Sequence, residues 1–301
     1  MKEENFTSHV ITSRIAAKRL LRQSLLSFLA MTLLACFFYG CDTAIESNYT
    51  EQIVVGAFLY ANEPVDSIVL HRTTPFGSYY DDLDYAVDGA QVSITVDGVV
   101  HNLLPGTRKG RYYLPASDLV IAAGKTYNLS IVAPNLQAGG EHVISATTTV
   151  PMSIHLSSLA DSVRGKTFIF DTNNVASLAF LVTATPTDAS DHRYLLSVTA
   201  LDTSIGMIHF GNMKDSIRLT RYSEVATGPA IAVTARFLEW YGPNLITMYA
   251  IDTNWWDYQR QVPNFGGGTD YQPSLNHITG AIGIFGSAAR DTVSVFIKPK
   301  S

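Results

Sequence analysis

After residue 50 the chain is dominated by short segments in which apolar and polar side chains alternate. The clearest segment is AQVSITVDGVVHNLLP (90–105), where Val92, Ile94 and Val96 alternate with polar residues. A period of two is typical of a β-strand with one buried face. The Asp-Gly pair that follows favours the positive φ angles of a type I′ turn. The pattern therefore predicts a β-hairpin in this segment.

Similar β-branched and aromatic runs occur in most of the remaining sequence. Before Pro151 they predict further strands at residues 52–60, 67–73, 110–115, 124–134 and 142–150. After Pro151 the predicted strands are longer, at residues 175–185, 192–201, 229–240, 244–252, 277–285 and 292–298. One short helix is predicted, NWWDYQRQ (254–261), with Thr253 or Asn254 as its cap.

These elements predict an all-β protein. Short strands separated by turn signals are typical of an antiparallel sandwich. No helical pattern separates the strands, as a parallel α/β fold would require. We expect an N-terminal β-sandwich domain at residues 52–152, followed by a second β-rich domain with one short helix at residues 153–301.

The first forty residues follow a different pattern. Five basic residues precede an apolar run of about fifteen residues, LLSFLAMTLLACFFY, which starts at Leu25. A membrane-spanning helix needs roughly 20 apolar residues, whereas a basic region, a short apolar stretch and small residues before a cysteine are typical of an export signal. We expect a cleaved lipoprotein signal at residues 1–40. The alternative is a short N-terminal membrane anchor.

Both cysteines of the chain lie at the end of this run, and each resembles the lipid-modified residue of a bacterial lipoprotein. The sequence LLAC, with leucine at the third position before the cysteine, favours Cys36. The sequence FYGC favours Cys41, because polar residues follow it, whereas a lipidated Cys36 would leave three aromatic side chains at the membrane surface. We predict lipidation at Cys41, with residues 41–51 as a tether and Cys36 as the alternative site.

Cleavage before Cys41 changes the chemistry that the chain can carry. The only remaining cysteine would hold lipid, so no disulfide or thiolate site is expected. The whole chain has 21 Lys+Arg and 26 Asp+Glu; the leader holds five and two of these, so the mature part carries 16 and 24, a formal net charge of −8. An acidic body offers no surface for a phosphate backbone, which excludes nucleic acid as an expected partner.

No catalytic or metal-binding pattern is visible. The histidines of the mature chain are scattered, with no HExxH motif and no G-x-S-x-G elbow, so we expect neither a metal site nor an enzyme. The glycines at residues 266–268 and in HITGAIGIFGS lack the Lys-Ser/Thr of a phosphate loop and are interpreted as structural.

Two groups of residues are candidates for contact with a ligand or partner. The first is the acidic loop GSYYDDLDYAVDG (77–89), which carries Asp81, Asp82 and Asp84 among aromatic residues. A solvated loop is the simplest interpretation and a partner-contact surface the functional one. A calcium-dependent contact is a further alternative, although the spacing differs from that of an EF-hand loop.

The second group is aromatic and comprises Trp240, Tyr241, Trp255 and Trp256. Exposed Trp and Tyr rings can stack on sugar rings, since they combine apolar area with a polar edge. Adjacent helical residues point in different directions, so at least one of Trp255 and Trp256 is expected to pack inward. The other would then be available to a ligand.

With the strands in this order, the chain resembles domain-of-unknown-function family 4249 over nearly all of residues 41–301. The likeness begins with CDTAIES and QIVVGAFL, continues through DSIVLHRTTPF, VDGAQVSI, GRYYLP and GKTYNLSIVAP, and crosses between the domains at TTTVPMSI. Near the C-terminus NHITGAIGIFGS is similar to the glycine-rich signature of the family, from which it departs at Ala281, where a glycine is usual. The likeness supports Cys41 over Cys36.

The resemblance implies an exported bacterial lipoprotein of the outer membrane, on its periplasmic or surface-exposed side, of a kind often encoded beside TonB-dependent receptors. It also implies an N-terminal domain similar to immunoglobulin-like or transthyretin-like sandwiches, and it supplies no catalytic residues. We therefore expect a non-enzymatic protein without cofactors that is an accessory or ligand-capturing partner of a TonB-dependent receptor. The alternative is a free-standing, surface glycan-binding lipoprotein that uses exposed Trp and Tyr side chains.

Overall fold

The structure is a computed structural model that describes residues 49–75, 77–134, 141–156, 164–171, 174, 178–188, 192–208, 218–261 and 277–300. The predicted export signal, Cys36, Cys41 and the glycines at 266–268 lie outside the described residues. The chain from Thr50 to Ser301 forms one compact unit.

The described part of the chain is built mainly of strands. In chain order they are β1 (Ile53–Tyr60), β2 (Val65–Arg72), β3 (Gln91–Val96), β4 (Val99–Asn102), β5 (Leu104–Pro105), β6 (Arg111–Leu114), β7 (Thr126–Pro134), β8 (Glu141–Thr149), β9 (Ile154–Leu156), β10 (Thr167–Phe170), β11 (Ala179–Pro186), β12 (Arg193–Ala200), β13 (Thr220–Tyr222), β14 (Ala230–Thr234), β15 (Gly242–Ile251), β16 (Ile278–Thr279) and β17 (Ile282–Pro299). A 3-10 turn at Ala235–Phe237 follows β14, and helix α1 (Thr253–Gln261) follows β15.

The strands form three sheets. The largest has nine strands, in the order β13-β12-β15-β17-β1-β2-β6-β5 with β10 as a further partner of β17. A five-stranded sheet has the order β16-β8-β7-β3-β4, and a three-stranded sheet the order β14-β11-β9; both are antiparallel. These sheets confirm the predicted all-β class.

The predicted hairpin at residues 90–105 is the β3–β4 pair. Asp97 and Gly98 have φ angles of 50° and 81°, both positive as a type I′ turn requires. Val92, Ile94 and Val96 are buried on one face, in agreement with the alternation in the sequence.

The C-terminal strands differ from the prediction. Two separate strands were expected at residues 277–285 and 292–298, but residues 282–299 form one strand of 18 residues. Its first half pairs in parallel with β1, from Val54 opposite Ile282 to Tyr60 opposite Ala288, and its second half pairs antiparallel with β15. A single long strand is favoured because it has partners along its whole length.

The strand predicted at residues 229–240 is also shorter than expected. It ends at Thr234, where the chain turns into the 3-10 segment, and Leu238 is buried just beyond that turn. The apolar run therefore continues through a turn whose residues also pack on the core, which a pattern based on hydrophobicity does not distinguish from a strand.

Two large hydrophobic clusters lie on one face of the nine-stranded sheet. Phe285 and Ala289 belong to the first, with residues of β1, β2, β3 and β6 to β8; Val293, Val295 and Ile297 belong to the second, with residues of β9 to β12, β14 and β15. Alternate residues of a strand share a face, so these odd-numbered residues place both clusters on the same side. The predicted N-terminal β-sandwich is confirmed as the five-stranded sheet packed on β1, β2 and β6.

The domain boundary predicted at residues 152–153 falls between the two clusters. The first draws on residues 53–150 and on three residues near the C-terminus, whereas the second draws on residues 154–297. Both share β17, so the two cores have one sheet in common. The division into two domains stays a prediction.

A third, smaller cluster lies on the opposite face of the sheet, under helix α1. It contains Leu195, Tyr249, Trp255, Ile284 and Ala288. The helix therefore covers the place where β15 ends and the first half of β17 continues, so residues 284–289 of β17 are buried on both faces.

Candidate functional site

Helix α1 begins at a buried carboxylate. The Oδ1 atom of Asp252 accepts a hydrogen bond of 2.9 Å from the main-chain N–H of Trp255, and its carbonyl oxygen accepts the first intrahelical bond from Trp256. Asp252 is therefore the N-cap, and the predicted caps Thr253 and Asn254 are wrong. Each of the three residues favours a cap position; Asp252 takes it because β15 ends one residue earlier.

The other oxygen of this carboxylate faces the five-stranded sheet. The hydroxyl of Thr148, on β8, lies 2.5 Å from Asp252 Oδ2 and 2.8 Å from the hydroxyl of Ser287, on β17. All three residues are buried. Burial raises the pKa of Asp252, because the ionised carboxylate is poorly solvated there, and the hydrogen bond from Thr148 opposes that rise.

Asn254 makes a second connection at the same place. Its side-chain Nδ2 donates to the carbonyl oxygen of Thr147 over 2.7 Å and to that of Phe285 over 2.8 Å. One amide group thus links the helix to β8 and β17, which belong to different sheets. The first turn of the helix is held by polar contacts on both sides.

The glycine-rich signature near the C-terminus allows this close packing. A Cβ atom on Gly283, whose φ is +119°, would lie 2.0 Å from the carbonyl oxygen of Val55. A Cβ on Gly286 would lie 3.2 Å from the Cβ of Trp255, against the helix. Both glycines therefore have packing roles. Ala281, where the signature departs from glycine, is half-buried against the first cluster.

A cleft of about 500 Å³ opens beside the start of the helix. It is bounded by residues 147–152 after and within β8, by residues 251–254 at the helix start, and by Trp256, Asp188, His192 and Arg193. Its volume lies in the range of roughly 300–1,000 Å³ that is usual for small-molecule sites. The walls combine hydroxyl and amide groups with the indole ring and with the apolar side chains of Val150 and Met152.

Charged groups of both signs line the cleft or lie beside it. His192 Nε2 is 2.5 Å from Asp188 Oδ1. The guanidinium groups of Arg193 and Arg260 lie over the ring of Trp256, at 5.9 and 5.2 Å from its centroid. Arg260 also pairs with Asp257. The wall itself thus carries the acidic Asp188 and Asp252 and the basic Arg193, and Arg260 lies beside it over Trp256.

The two adjacent tryptophans have different environments. Trp255 is 6% exposed and packs against Phe58, Tyr249 and Tyr60, with ring centroids 4.5, 5.8 and 6.3 Å away. Trp256 is half-buried and lines the cleft. Trp255 is therefore part of the core, and Trp256 is the aromatic residue that a ligand can reach.

Trp240 and Tyr241 lie at the other end of β15. That strand has ten residues, which separates the two aromatic pairs by roughly 30 Å. The indole N–H of Trp240 donates to the carbonyl oxygen of Arg218 over 3.3 Å, and Tyr241 packs against the second cluster. The four predicted aromatic residues do not form one surface.

The acidic loop is ordered by its own contacts. Asp81 accepts a hydrogen bond from the N–H of Leu83 over 2.8 Å, Asp82 pairs with Arg108 over 3.1 Å, and the carbonyl oxygen of Asp84 accepts from Arg72 over 2.7 Å. The carboxylates of Asp81 and Asp82 and the main-chain carbonyl of Asp84 thus have different partners.

The same loop presents apolar side chains to solvent. Tyr80 stacks on Tyr85 at 5.5 Å and contacts His71 through its hydroxyl, whereas Tyr79 is 86% exposed. Leu83 is 50% exposed on the same loop. An ordered loop with exposed apolar side chains has the character of a contact surface.

Among the described residues no group of three or more His, Cys, Asp or Glu side chains is arranged to hold a metal ion. Within the same residues no helix is long and apolar enough to cross a membrane.

Sequence reasoning missed Thr148, Asp252 and Arg193. Thr148 could have been noticed, because it lies on the buried face of β8 with Ile144 and Ala146, where an apolar residue is expected. Nothing local marks Arg193, since its place at the cleft depends on the pairing of β12 with β15.

Comparison with known proteins identifies the family of the chain. Residues 41–294 match the family described as Domain of unknown function (DUF4249). No curated protein matches the chain.

Among solved structures, a two fibronectin type-III domain segment of chicken tenascin is 12% identical, with 66% of this chain and 88% of that chain covered and a TM-score of 0.19. A segment of titin is 8% identical, with 82% and 66% covered and a TM-score of 0.20. The all-β assignment rests on the three sheets of the chain itself.

Proposed function

The chain belongs to the family of the domain of unknown function DUF4249, and on this premise we propose that it is a lipid-anchored outer-membrane protein that captures a ligand for a TonB-dependent receptor. Cys41 carries the lipid, the compact β-rich unit carries the cleft, and the acidic loop contacts the receptor.

The anchor is supported by where the family match starts. It begins at residue 41, which is Cys41, and the residues before it form a basic and apolar leader. The described strands begin at Ile53, so a short polar segment would separate the lipid from the folded unit. Such a tether keeps the unit near the membrane without burying any of its surface.

The observation that carries the receptor contact is the exposed apolar side chain of Tyr79 on an ordered loop. Because Asp81, Asp82 and the carbonyl of Asp84 already hold the loop in place, little conformational entropy is lost when a partner covers it. Tyr and other aromatic residues are enriched in the centre of protein–protein interfaces. The neighbouring carboxylates would form the polar rim.

Tethering explains how a weak contact would suffice. Two proteins held in one membrane have an effective concentration far above that in solution, so a contact of modest affinity is occupied. A single acyl chain gives only marginal anchoring, and the several chains of a lipoprotein anchor are needed for stable attachment.

The proposal assigns no reaction to the cleft. The carboxylate of Asp252 accepts hydrogen bonds from Thr148 and Trp255, and Asp188 is paired with His192. Groups that are engaged in this way serve to shape and orient a binding site, which is the role proposed for them.

The test is purification of the tagged protein from outer membranes of its source bacterium in mild detergent, with mass spectrometry of what accompanies it. The wild type is compared with Cys41→Ser and with the control Cys36→Ser. We expect a TonB-dependent receptor in stoichiometric amount with the wild type and with Cys36→Ser, and its loss with Cys41→Ser. A lipoprotein that is purified alone would overturn the receptor assignment.

The contact loop is tested in the same preparation. Tyr79→Ala should reduce the amount of receptor recovered, whereas Leu201→Ala, which removes an apolar side chain that is 56% exposed elsewhere, should leave it unchanged. Equal recovery with both variants would remove the acidic loop from the proposal.

A free-standing glycan-binding lipoprotein is the second candidate, favoured by the position of Trp256 at the cleft. In that case the protein would be purified without a receptor and would still be retarded on polysaccharide gels. The first experiment therefore separates the two.

A further inference from the structure

We infer that the cleft beside helix α1 binds a neutral saccharide of one or two rings, with Trp256 as its stacking platform. This inference rests on the proposed ligand-capturing function and names the ligand class and the site. It also reduces the four aromatic candidates of the sequence to one.

One of the four candidate aromatic residues, Trp256, lines the cleft. Trp255 is enclosed by Phe58, Tyr60 and Tyr249, and Trp240 lies at the opposite end of β15. Trp256 alone among the three tryptophans of the chain lines the cleft of about 500 Å³. An indole at the wall of a cleft offers a flat apolar surface to the C–H face of a pyranose.

The wall of the cleft carries hydrogen-bonding groups. Thr147, Thr149, Thr253 and Asn254 are among the residues that line it. The hydroxyls of Thr147 and Thr149 already bond to the side chains of Asn128 and Thr126. Thr253 is exposed at the start of the helix, and the amide of Asn254 uses its Nδ2 for the two main-chain carbonyls, which leaves its Oδ1 as an acceptor. The hydroxyl of Thr253 can donate to and accept from the hydroxyls of a sugar, and the Asn254 amide can accept from them.

The cleft carries charged groups of both signs. An anionic ligand would meet Asp188 and the carboxylate of Asp252, and a cationic ligand would meet Arg193 in the wall and Arg260 beside it. An ion of either sign would therefore lie near a group of like charge, which opposes its binding. A neutral ligand with many hydroxyls can instead accept from the guanidinium and donate to the carboxylates.

The indole of Trp256 has two guanidinium neighbours. Those of Arg193 and Arg260 lie 5.9 and 5.2 Å from the ring centroid, both within the limit of about 6 Å for a cation–π contact. A stacked sugar ring would displace the longer of these contacts, that of Arg193, which would then donate to the ligand's hydroxyls from its edge.

The experiment uses the full-length lipoprotein in detergent and the quenching of its tryptophan fluorescence. The probes are glucose, galactose, mannose, N-acetylglucosamine, maltose, cellobiose and lactose, with galacturonate and glucosamine as charged counterparts. We expect saturable binding of at least one neutral sugar. Trp256→Ala should weaken that binding by about tenfold or more, and the matched control Trp240→Ala should retain wild-type affinity.

A second variant guards against a folding defect in Trp256→Ala. Thr253→Val changes one exposed hydroxyl and should weaken binding by about threefold to tenfold with an unchanged melting temperature. Isothermal titration calorimetry replaces fluorescence for the tryptophan variants. Binding that survives both variants, binding of the charged sugars only, or absence of binding across the panel would each overturn the inference.

Recovery of the receptor in the purification tests the receptor assignment independently of sugar binding. If Trp256→Ala loses sugar binding but still brings the receptor with it, both proposals stand. If no sugar binds but the receptor is recovered, only the saccharide inference fails; if sugar binds and no receptor is recovered, only the receptor assignment fails.

Discussion

The hydroxyl of Thr148 donates a hydrogen bond to the buried carboxylate of Asp252, 104 positions later in the chain, over 2.5 Å. This bond joins the five-stranded sheet to the N-terminus of helix α1. It also lies at the wall of the cleft, so the residue that caps the helix is the one that shapes the site.

Thr148→Val should destabilise the protein by about 1–3 kcal/mol, because a buried carboxylate then lacks a donor and valine has nearly the same volume as threonine. The free energy of unfolding in urea is the measurement. Thr126→Val is the matched control, since Thr126 is exposed and its hydroxyl bonds to the exposed hydroxyl of Thr149. Similar losses of unfolding free energy in the two variants would show that the buried Thr148–Asp252 bond contributes no more to stability than the exposed bond of Thr126.

The raised pKa of Asp252 should make the protein less stable as pH rises. Burial raises the pKa of this carboxyl above its ordinary value of 3.8 in the folded state. At pH values between the pKa of Asp252 in the unfolded state and its higher pKa in the folded state, the folded state binds more protons. The free energy of unfolding contributed by this residue therefore falls as pH rises through this range. Asp252→Asn, which keeps a good cap, should remove that part of the slope.

Asp257 provides the opposite slope as a control. Partial burial disfavours its ionised form, but hydrogen bonds and charges from His277 and Arg260 outweigh burial and lower its pKa. The stability that ionised Asp257 contributes is fully present above the pKa of this residue in the unfolded state. It is lost as pH falls through the lower pKa of the folded state. In urea titrations at several pH values, Asp257→Asn should therefore remove stability at neutral pH. If Asp252→Asn and Asp257→Asn changed the dependence of the unfolding free energy on pH in the same direction, these assignments would be wrong.

Gly283→Ala should disrupt the parallel pairing of β1 with β17. The added Cβ would meet the carbonyl oxygen of Val55 at 2.0 Å, and the φ of +119° is unfavourable for alanine. We expect a loss of about 3 kcal/mol or more, seen as a lower midpoint of chemical unfolding. Gly228→Ala is the control, because no atom lies within 4 Å of its added Cβ; equal midpoints would argue against the close approach.

The neighbouring tryptophans should respond differently to truncation. Trp255→Ala removes a buried ring from the third cluster and should cost about 3–5 kcal/mol. Trp256→Ala removes a half-buried ring at the cleft and should cost about 1 kcal/mol, the typical loss for a point mutation. Thermal unfolding followed by circular dichroism compares them, and the reverse order would place Trp256 in the core.

Local features of the fold could be read from the sequence. The alternation in residues 90–105 and the Asp-Gly pair specify the β3–β4 hairpin, because the turn and the buried face depend on neighbouring residues only. The helix at residues 254–261 was recognised within one residue of its observed start at Thr253. The candidate aromatic residues were also recognised, but not which of them a ligand can reach.

The β class, the hairpin and the helix were determined by the sequence itself, since each depends on the order of residues within a short segment. Tertiary structure alone decided that β1 pairs in parallel with β17, that residues 282–299 form one strand, and that Asp252 rather than Thr253 caps the helix. It also decided that Trp256 lines the cleft while Trp255 is buried. These outcomes depend on contacts between residues more than a hundred positions apart, such as Thr148 with Asp252 and Val55 with Gly283, and no local pattern of hydrophobicity contains them.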